Sequence, residues 1–233
     1  VAISVFILGF NHNASREGNN RIHFQIGKIN GTLVGLVDGN YGSSTSTTGA
    51  FTMNTSYTNS GGWNNSHMRK TVLGSNSASA TSPAANTLLA ALPADLRAVM
   101  KPATKYSDNT GGGSDTASYV TSTTDLLPLL SEFEYHGARS YANSAEKNYQ
   151  AQYDYYRAGN SKVHYRHNAT GTAALVWCRS VYSGASAIFC RVYSDGSADR
   201  NDAYGSWALA PCFFVESPQH IRQNPAHGSG RET

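Results

Sequence analysis

The chain has 233 residues, 39% of them hydrophobic, which is enough apolar material for a sizeable core and excludes a wholly disordered segment. Charged residues make up only 14%, against about 25% in an average soluble domain. The formal net charge of +3 is carried by scattered Lys and Arg, which argues against a nucleic-acid partner.

Serine, threonine, asparagine and glycine take the place of charge, as is common in secreted and virion proteins. The chain begins at Val1 and not Met, as expected of a fragment or a processed product. Residues 1–10 are apolar but about half as long as a bilayer span, and they lack the basic start of a signal peptide. No membrane insertion is expected. The segment is expected to be an edge strand or to be buried against a neighbour.

Residues 21–29 alternate Ile22, Phe24 and Ile26 with His23, Gln25 and Gly27, which predicts a strand. Asn30-Gly31 is a hairpin turn signal, and residues 32–37 supply the returning strand. Residues 38–60 have no period and are expected to form a long surface loop. Residues 66–74 predict a helix capped by Ser66 and ended by Gly74, with Met68, Val72 and Leu73 inward. A second helix is expected from Pro93, with Leu92, Leu96, Val99 and Met100 on one face, stopping at Lys101-Pro102.

Residues 107–118 are expected to form a loop, and residues 126–135 a short helix running into a strand. Residues 144–157 predict a helix with Tyr149, Tyr153 and Tyr156 on one face, terminated by Gly159. The last third alternates strands, expected over 173–178, 187–193 and 207–215, with polar turns such as Asp195-Gly196. Strands at both ends with helices between imply an α+β class.

Chemical signatures are sparse. The sequence has no G-x-S-x-G elbow, H-E-x-x-H, Walker loop or dinucleotide fingerprint. His164 and His167 have metal-compatible spacing, but their neighbours favour an exposed strand. Asp108 and Asp115 flank three glycines and offer oxygens to calcium, yet without EF-hand spacing a solvated loop is the better reading. Glu132 and Glu134 would share one face of a half-exposed strand, which is favoured over a catalytic pair. Cys178, Cys190 and Cys212 lie in apolar runs and are expected to be buried free thiols. No metal or other cofactor and no catalytic residue is expected.

The segment from 181 to 207 differs. Tyr182, Ser183, Ser186, Arg191, Tyr193, Asp199, Arg200, Asn201, Asp202, Tyr204 and Trp207 form a Tyr/Ser/Asn/Asp/Arg mixture between apolar strands. Tyr and Trp supply rigid contact area while Ser and Asn supply adaptable hydrogen bonds, a composition like that of a paratope. These eleven residues are the expected ligand contacts.

Phe6-Ile-Leu-Gly-Phe-Asn-His12, Arg21 to Gly27, Ser60-Gly-Gly-Trp63, Ser66-x-Met-Arg69 and Leu92-Pro-Ala-Asp-Leu-Arg97 resemble an uncharacterised domain of bacterial surface proteins and phage tail proteins. Ser140 to Glu146, Trp177-x-Arg-Ser180, Phe189-Cys190, Asp195-Gly196 and Pro211-x-Phe213 continue the match. The resemblance implies a C-type-lectin-like fold related to formylglycine-generating enzymes. Such a fold has twisted antiparallel strands, a few short helices and long loops, expected here over residues 1–215 with a polar tail over 216–233.

The chain also looks like the variable proteins of diversity-generating retroelements, in which adenine-containing codons near the C-terminal end are rewritten. Where that family shows Trp-Trp-Leu-Arg-Ser-Pro, this chain has Val176-Trp-Cys-Arg-Ser-Val181. The expectation is an adhesin or host-recognition module on a virion tail or bacterial surface. It would bind a protein or glycan and assemble as a homo-oligomer, such as a trimer, by the logic of multivalency. Trp177, Arg179 and Phe189-Cys190 would be scaffold. An oxidase of the formylglycine-generating type and a structural virion component are the alternatives.

Overall fold

A computed structural model describes residues 2–44 and 50–217. The expected loop residues 45–49 and tail residues 218–233 lie outside the described residues.

In chain order, β1 (Ser4–Phe10) leads through the short α1 (Ala14–Glu17) to β2 (Arg21–Ile29) and β3 (Thr32–Gly35). Asn30 (φ 49°) and Gly31 (φ 82°) both adopt positive φ, as the tight primed turn signalled by Asn-Gly requires. Next come α2 (Gly62–Asn65), a π-helical turn at Met68–Val72, α3 (Leu88–Ala91), α4 (Ala94–Val99) and β4 (Met100–Lys101). The hairpin of β5 (Ala103–Asp108) and β6 (Val120–Asp125) precedes α5 (Glu132–His136) and α6 (Asp154–Arg157). The chain closes with β7 (His164–Arg166), β8 (Ala169–Ala174), β9 (Val176–Val181), β10 (Ile188–Val192), β11 (Ala198–Asp202) and β12 (Cys212–Glu216). The fold is mixed α+β, mostly sheet with a few short helices.

The largest sheet has seven strands in the order β4-β12-β2-β3-β7-β8, with β1 paired to the other edge of β2. All its pairings are antiparallel except β3 with β7. Strand β2 pairs first with β12 and then with β3, so its neighbour changes partway along. Gly27 sits at that change with φ 143°, and a Cβ there would lie 2.3 Å from the Val34 carbonyl oxygen. A second sheet runs β11-β10-β9.

Strands β9, β10 and β12 each lie between two cores, which explains their continuous apolar runs. Val176, Cys178, Cys190, Val192, Cys212 and Phe214 enter one cluster, with Leu8, Tyr135, Tyr153 and Tyr156. Their neighbours Trp177, Val181, Phe189 and Phe213 enter the other, with Met53, Trp63, Met68 and Leu127. The period of two along each strand divides the side chains between the layers.

Several expectations are corrected. Residues 38–60 are not surface loop throughout: Ala50, Thr52, Met53 and Asn59 are fully buried, and Met53 belongs to the second core. Residues 66–74 form a π-helical turn, still capped by Ser66 Oγ, which accepts the Arg69 N–H at 3.1 Å. Val99 is 52% exposed and does not face inward with Met100, because α4 ends there and Met100 begins β4. Residues 144–157 form no single helix: a 3-10 turn at Ser144–Asn148 is followed by a break, and α6 holds only Asp154–Arg157. His164 is buried, its Nδ1 bonded to the Lys162 carbonyl at 2.8 Å, and not on an exposed strand face.

The largest correction concerns Glu132 and Glu134, which lie on helix α5 and are buried. Ser131 caps that helix in a reciprocal box. Its Oγ accepts the Glu134 N–H at 3.0 Å, and Glu134 Oε2 accepts the Ser131 N–H at 2.9 Å. Arg179 on β9 grips the same carboxylate with both terminal nitrogens, Nη2 at 2.8 Å from Oε1 and Nη1 on Oε2. Lys105 on β5 donates to Glu134 Oε1 at 3.0 Å and to Glu17 of α1. Two carboxylates and two cations, each no more than 2% exposed, thus neutralise one another in the interior.

Burial alone would push the Glu134 carboxyl up. The Arg179 and Lys105 charges overcome it and hold the group well below the usual carboxylate range. His12, Glu17 and Glu134 bring potential metal-ligand atoms together, but the Lys105 ammonium already binds both carboxylates. His12 is lowered to about 3 by burial and by Lys105, so it adds no positive charge at neutral pH.

Removing one member of such a cluster strands its partner's charge. Arg179→Met is expected to cost about 3–5 kcal/mol in denaturant unfolding. Arg157→Met, which breaks the exposed pair with Asp154, should cost less than about 1 kcal/mol.

Candidate functional site

The cluster fixes β9, β9 pairs with β10, and β10 pairs with β11. The β10–β11 turn closes through Tyr193 N–H to Ser197 O at 2.8 Å, with Gly196 at φ 85°. Among the described residues β11 pairs only with β10, so it is a sheet edge. All five of its side chains are half-buried. The cross-strand register sets Arg191 opposite Asp199, Phe189 opposite Asn201, and Cys190 opposite Arg200.

On one face of β11, Arg191 Nε bonds Asp199 at 2.7 Å and its guanidinium stacks on Trp207, 4.5 Å from the ring centroid. Trp207 Nε1 donates to Asn201 Oδ1 at 3.1 Å, and the indole meets Tyr41 edge-on at 5.6 Å. Arg166 lies over Tyr41 at 4.3 Å. Stacking of this kind holds long side chains in one place.

On the opposite face, the Arg200 guanidinium lies 4.4 Å from the Tyr141 ring and 4.9 Å from the Tyr182 ring. The two tyrosines meet edge-on at 5.8 Å. Ser183 N–H donates to the Tyr141 carbonyl at 3.1 Å, and Ala142 pairs with Tyr182 as an isolated bridge. Arg139 pairs with Asp115 at 3.1 Å and also donates to Ser183 Oγ at 3.3 Å. Gly184 lets the Tyr182 ring fold back, because a Cβ there would lie 2.4 Å from the tyrosine hydroxyl.

Asp202, at the end of β11, hydrogen-bonds Tyr57, whose hydroxyl it raises in pKa through its charge. Tyr57 also packs against Tyr204 at 5.2 Å.

Of the eleven sequence-derived residues, nine gather around β11: Tyr182, Ser183, Arg191, Asp199, Arg200, Asn201, Asp202, Tyr204 and Trp207. They divide between two faces instead of forming one patch. Arg191 is only 7% exposed and braces Trp207 against Asp199, which corrects its expected role as a ligand contact. Ser186 and Tyr193 are exposed but sit at opposite ends of β10, a strand length apart. Trp177, Arg179, Phe189 and Cys190 are fully buried in the frame.

The sequence reading missed Tyr41, Tyr57, Arg139, Tyr141 and Arg166. Only Tyr141 lay within a quoted motif, and tertiary folding alone brings the others to β11.

The loop after β5 does not present its carboxylates for a metal. Asp108 is buried and accepts from the backbone of Thr110 at 3.0 Å, from Gly111 at 2.8 Å, and from Asn143 at 3.0 Å. Asp115 is engaged by Ser144 and Arg139. An apolar depression of about 670 Å³, lined by Phe51, His67, Val72, Leu88 and Ala91, includes none of the sequence-derived contacts.

These features define a mixed α+β domain with a polar, aromatic-rich sheet edge on a buried charged frame. Residues 44–217 match the family described as a domain of unknown function, DUF6273, and the chain belongs to that family. No curated protein and no solved structure matches it. The family match starts after β3, although β2 sits inside the main sheet between β12 and β1.

Cys178, Cys190 and Cys212 are free and buried. Burial pushes Cys178 and Cys190 well above the usual thiol range, and Cys212 up to about 12. A reactive thiolate needs the reverse environment, an electropositive and accessible one. None of the three thiols is expected to react with an aromatic disulfide reagent at pH 8 in the native protein, and all three should titrate in guanidinium. Rapid reaction of even one native thiol would contradict this placement.

Proposed function

We propose that the chain is a recognition domain of the C-type-lectin-like type, a host-binding adhesin module of a phage tail protein or a bacterial surface protein. The observation that carries this reading is the separation of its residues. The frame side chains Trp177, Arg179, Phe189 and Cys190 are fully buried, while the Tyr/Ser/Asn/Asp/Arg mixture collects half-exposed at the open edge formed by β11. Rigid aromatic anchors beside adaptable polar groups suit a surface that meets a protein or glycan. Changes there leave the interior untouched, which a diversified binding face requires.

A homo-oligomer, with a trimer as the simplest case, would multiply weak single-site affinity by avidity. The oxidase reading calls for paired reactive thiols, and the three cysteines lie in apolar surroundings. A purely structural role would not call for a half-exposed aromatic edge.

Sequencing the DNA around the gene tests the diversification claim. A near-copy of the stretch encoding residues 176–215 is expected beside a reverse-transcriptase gene. Mismatches should be confined to template adenines and fall on the codons of Tyr182, Ser183, Arg200, Asp202 and Tyr204. A copy whose mismatches fall on the buried codons of Trp177, Arg179 and Phe189, or the lack of any copy, would remove that claim.

A further inference from the structure

Among the described residues, Arg200 is the one cation of its patch without an ion pair. The neighbouring guanidinium of Arg139 is paired with Asp115. Arg200 has no hydrogen bond and no ion pair with any described residue, only the faces of Tyr141 and Tyr182. Its side chain is half-buried, and its guanidinium is placed by two rings that are themselves locked. An arginine held between two rings in this way keeps N–H donors free for a ligand, with much of the ordering entropy already lost before the ligand arrives.

The surroundings define what would fill that fork. Glu132 is buried beneath the patch, its carboxylate accepting the backbone N–H groups of Tyr141 at 3.1 Å and Ala142 at 2.7 Å. It is therefore turned away from solvent and braces the Tyr141 segment. Beside Arg200 stand the neutral hydroxyls of the two tyrosines whose rings it meets, while the Ser183 hydroxyl is taken up by Arg139 and the Tyr141 carbonyl.

We infer that Arg200, stacked on Tyr141 and Tyr182, is the anchor of a site for an acidic glycan, with its fork taking the carboxylate of a sugar acid. The inference rests on the recognition role proposed above and names its ligand class. A single free cation flanked by two tyrosines, whose rings can pack on a sugar and whose hydroxyls are neutral, matches a ligand that carries one carboxylate per unit amid hydroxyl groups. An acidic peptide, with clustered carboxylates, would call for several free cations. Bidentate guanidinium–carboxylate pairing supplies the charge-assisted bonds, and the two tyrosines supply orientation.

The test measures binding to oligosaccharides ending in glucuronate, galacturonate or sialate, to their neutral methyl esters, and to an Asp-Gly repeat peptide. At least one acidic glycan should bind, its ester about tenfold or more weaker, and binding should weaken as salt rises. Arg200→Gln should lose about ten- to hundredfold in affinity. Arg200→Lys, which keeps charge but loses the fork, should fall between.

Arg157→Gln removes an exposed guanidinium on α6, outside the β11 site, and should leave binding unchanged. Thermal unfolding of each variant separates lost binding from lost folding. Equal binding of the esters would overturn the inference, as would tighter binding of the peptide, an unaffected Arg200→Gln or a panel without binders. None of those outcomes bears on the DNA test of diversification.

Discussion

The Glu134 carboxylate, gripped by Arg179 and Lys105, is the interaction on which the rest of the architecture turns. It joins α5, β9 and β5, and through Lys105 it reaches Glu17 on α1, so elements far apart in sequence meet at one point. Charges taken out of water are costly, and a hydrophobic replacement of the whole group could be as stable. What the cluster supplies is geometry: Arg179 also donates to the Leu129 carbonyl and to Ser107 Oγ, both at 2.9 Å, leaving β9 one register against its surroundings.

That register is handed outward. Strand β9 positions β10, whose inner faces are packed on both sides, and β10 in turn carries β11 at the open edge. The side chains of β11 have neighbours on each face but are not core. Arg191 is the intermediate case, its ion pair with Asp199 and its stack on Trp207 stiffening the edge from beneath. Another buried carboxylate, Asp125, ties Arg69, Ser75 and Trp63 together. The buried charges and the half-buried polar edge are thereby kept apart.

The strands were legible wherever periodicity or turn chemistry was local. The alternation over residues 21–29 and the Asn30-Gly31 turn gave β2 and its hairpin, and the apolar runs near 178, 190 and 212 gave strands with buried thiols. The helices were legible only in part, because most have four to six residues and are held by tertiary contacts, not by an amphipathic repeat. Glu132 and Glu134 were misplaced because an alternating Glu-Phe-Glu-Tyr run mimics a strand. The capping signature Ser131-x-x-Glu134 was the cue that pointed to a helix. Composition gathered most of the β11 residues but gave no means to divide them between two faces or to find Tyr41, Tyr141 and Arg166, which arrive from distant segments.

The buried frame should fold without help from the half-buried side chains around β11. The most direct test is the unfolding free energy of a composite variant in which Tyr182, Ser183, Ser186, Arg200, Asp202 and Tyr204 are replaced together by other polar residues. A total loss of no more than about 2 kcal/mol is predicted, because changes away from the core are individually small. A loss larger than that from removing a member of the buried ion cluster would contradict the account, since the edge would then be part of what holds the fold.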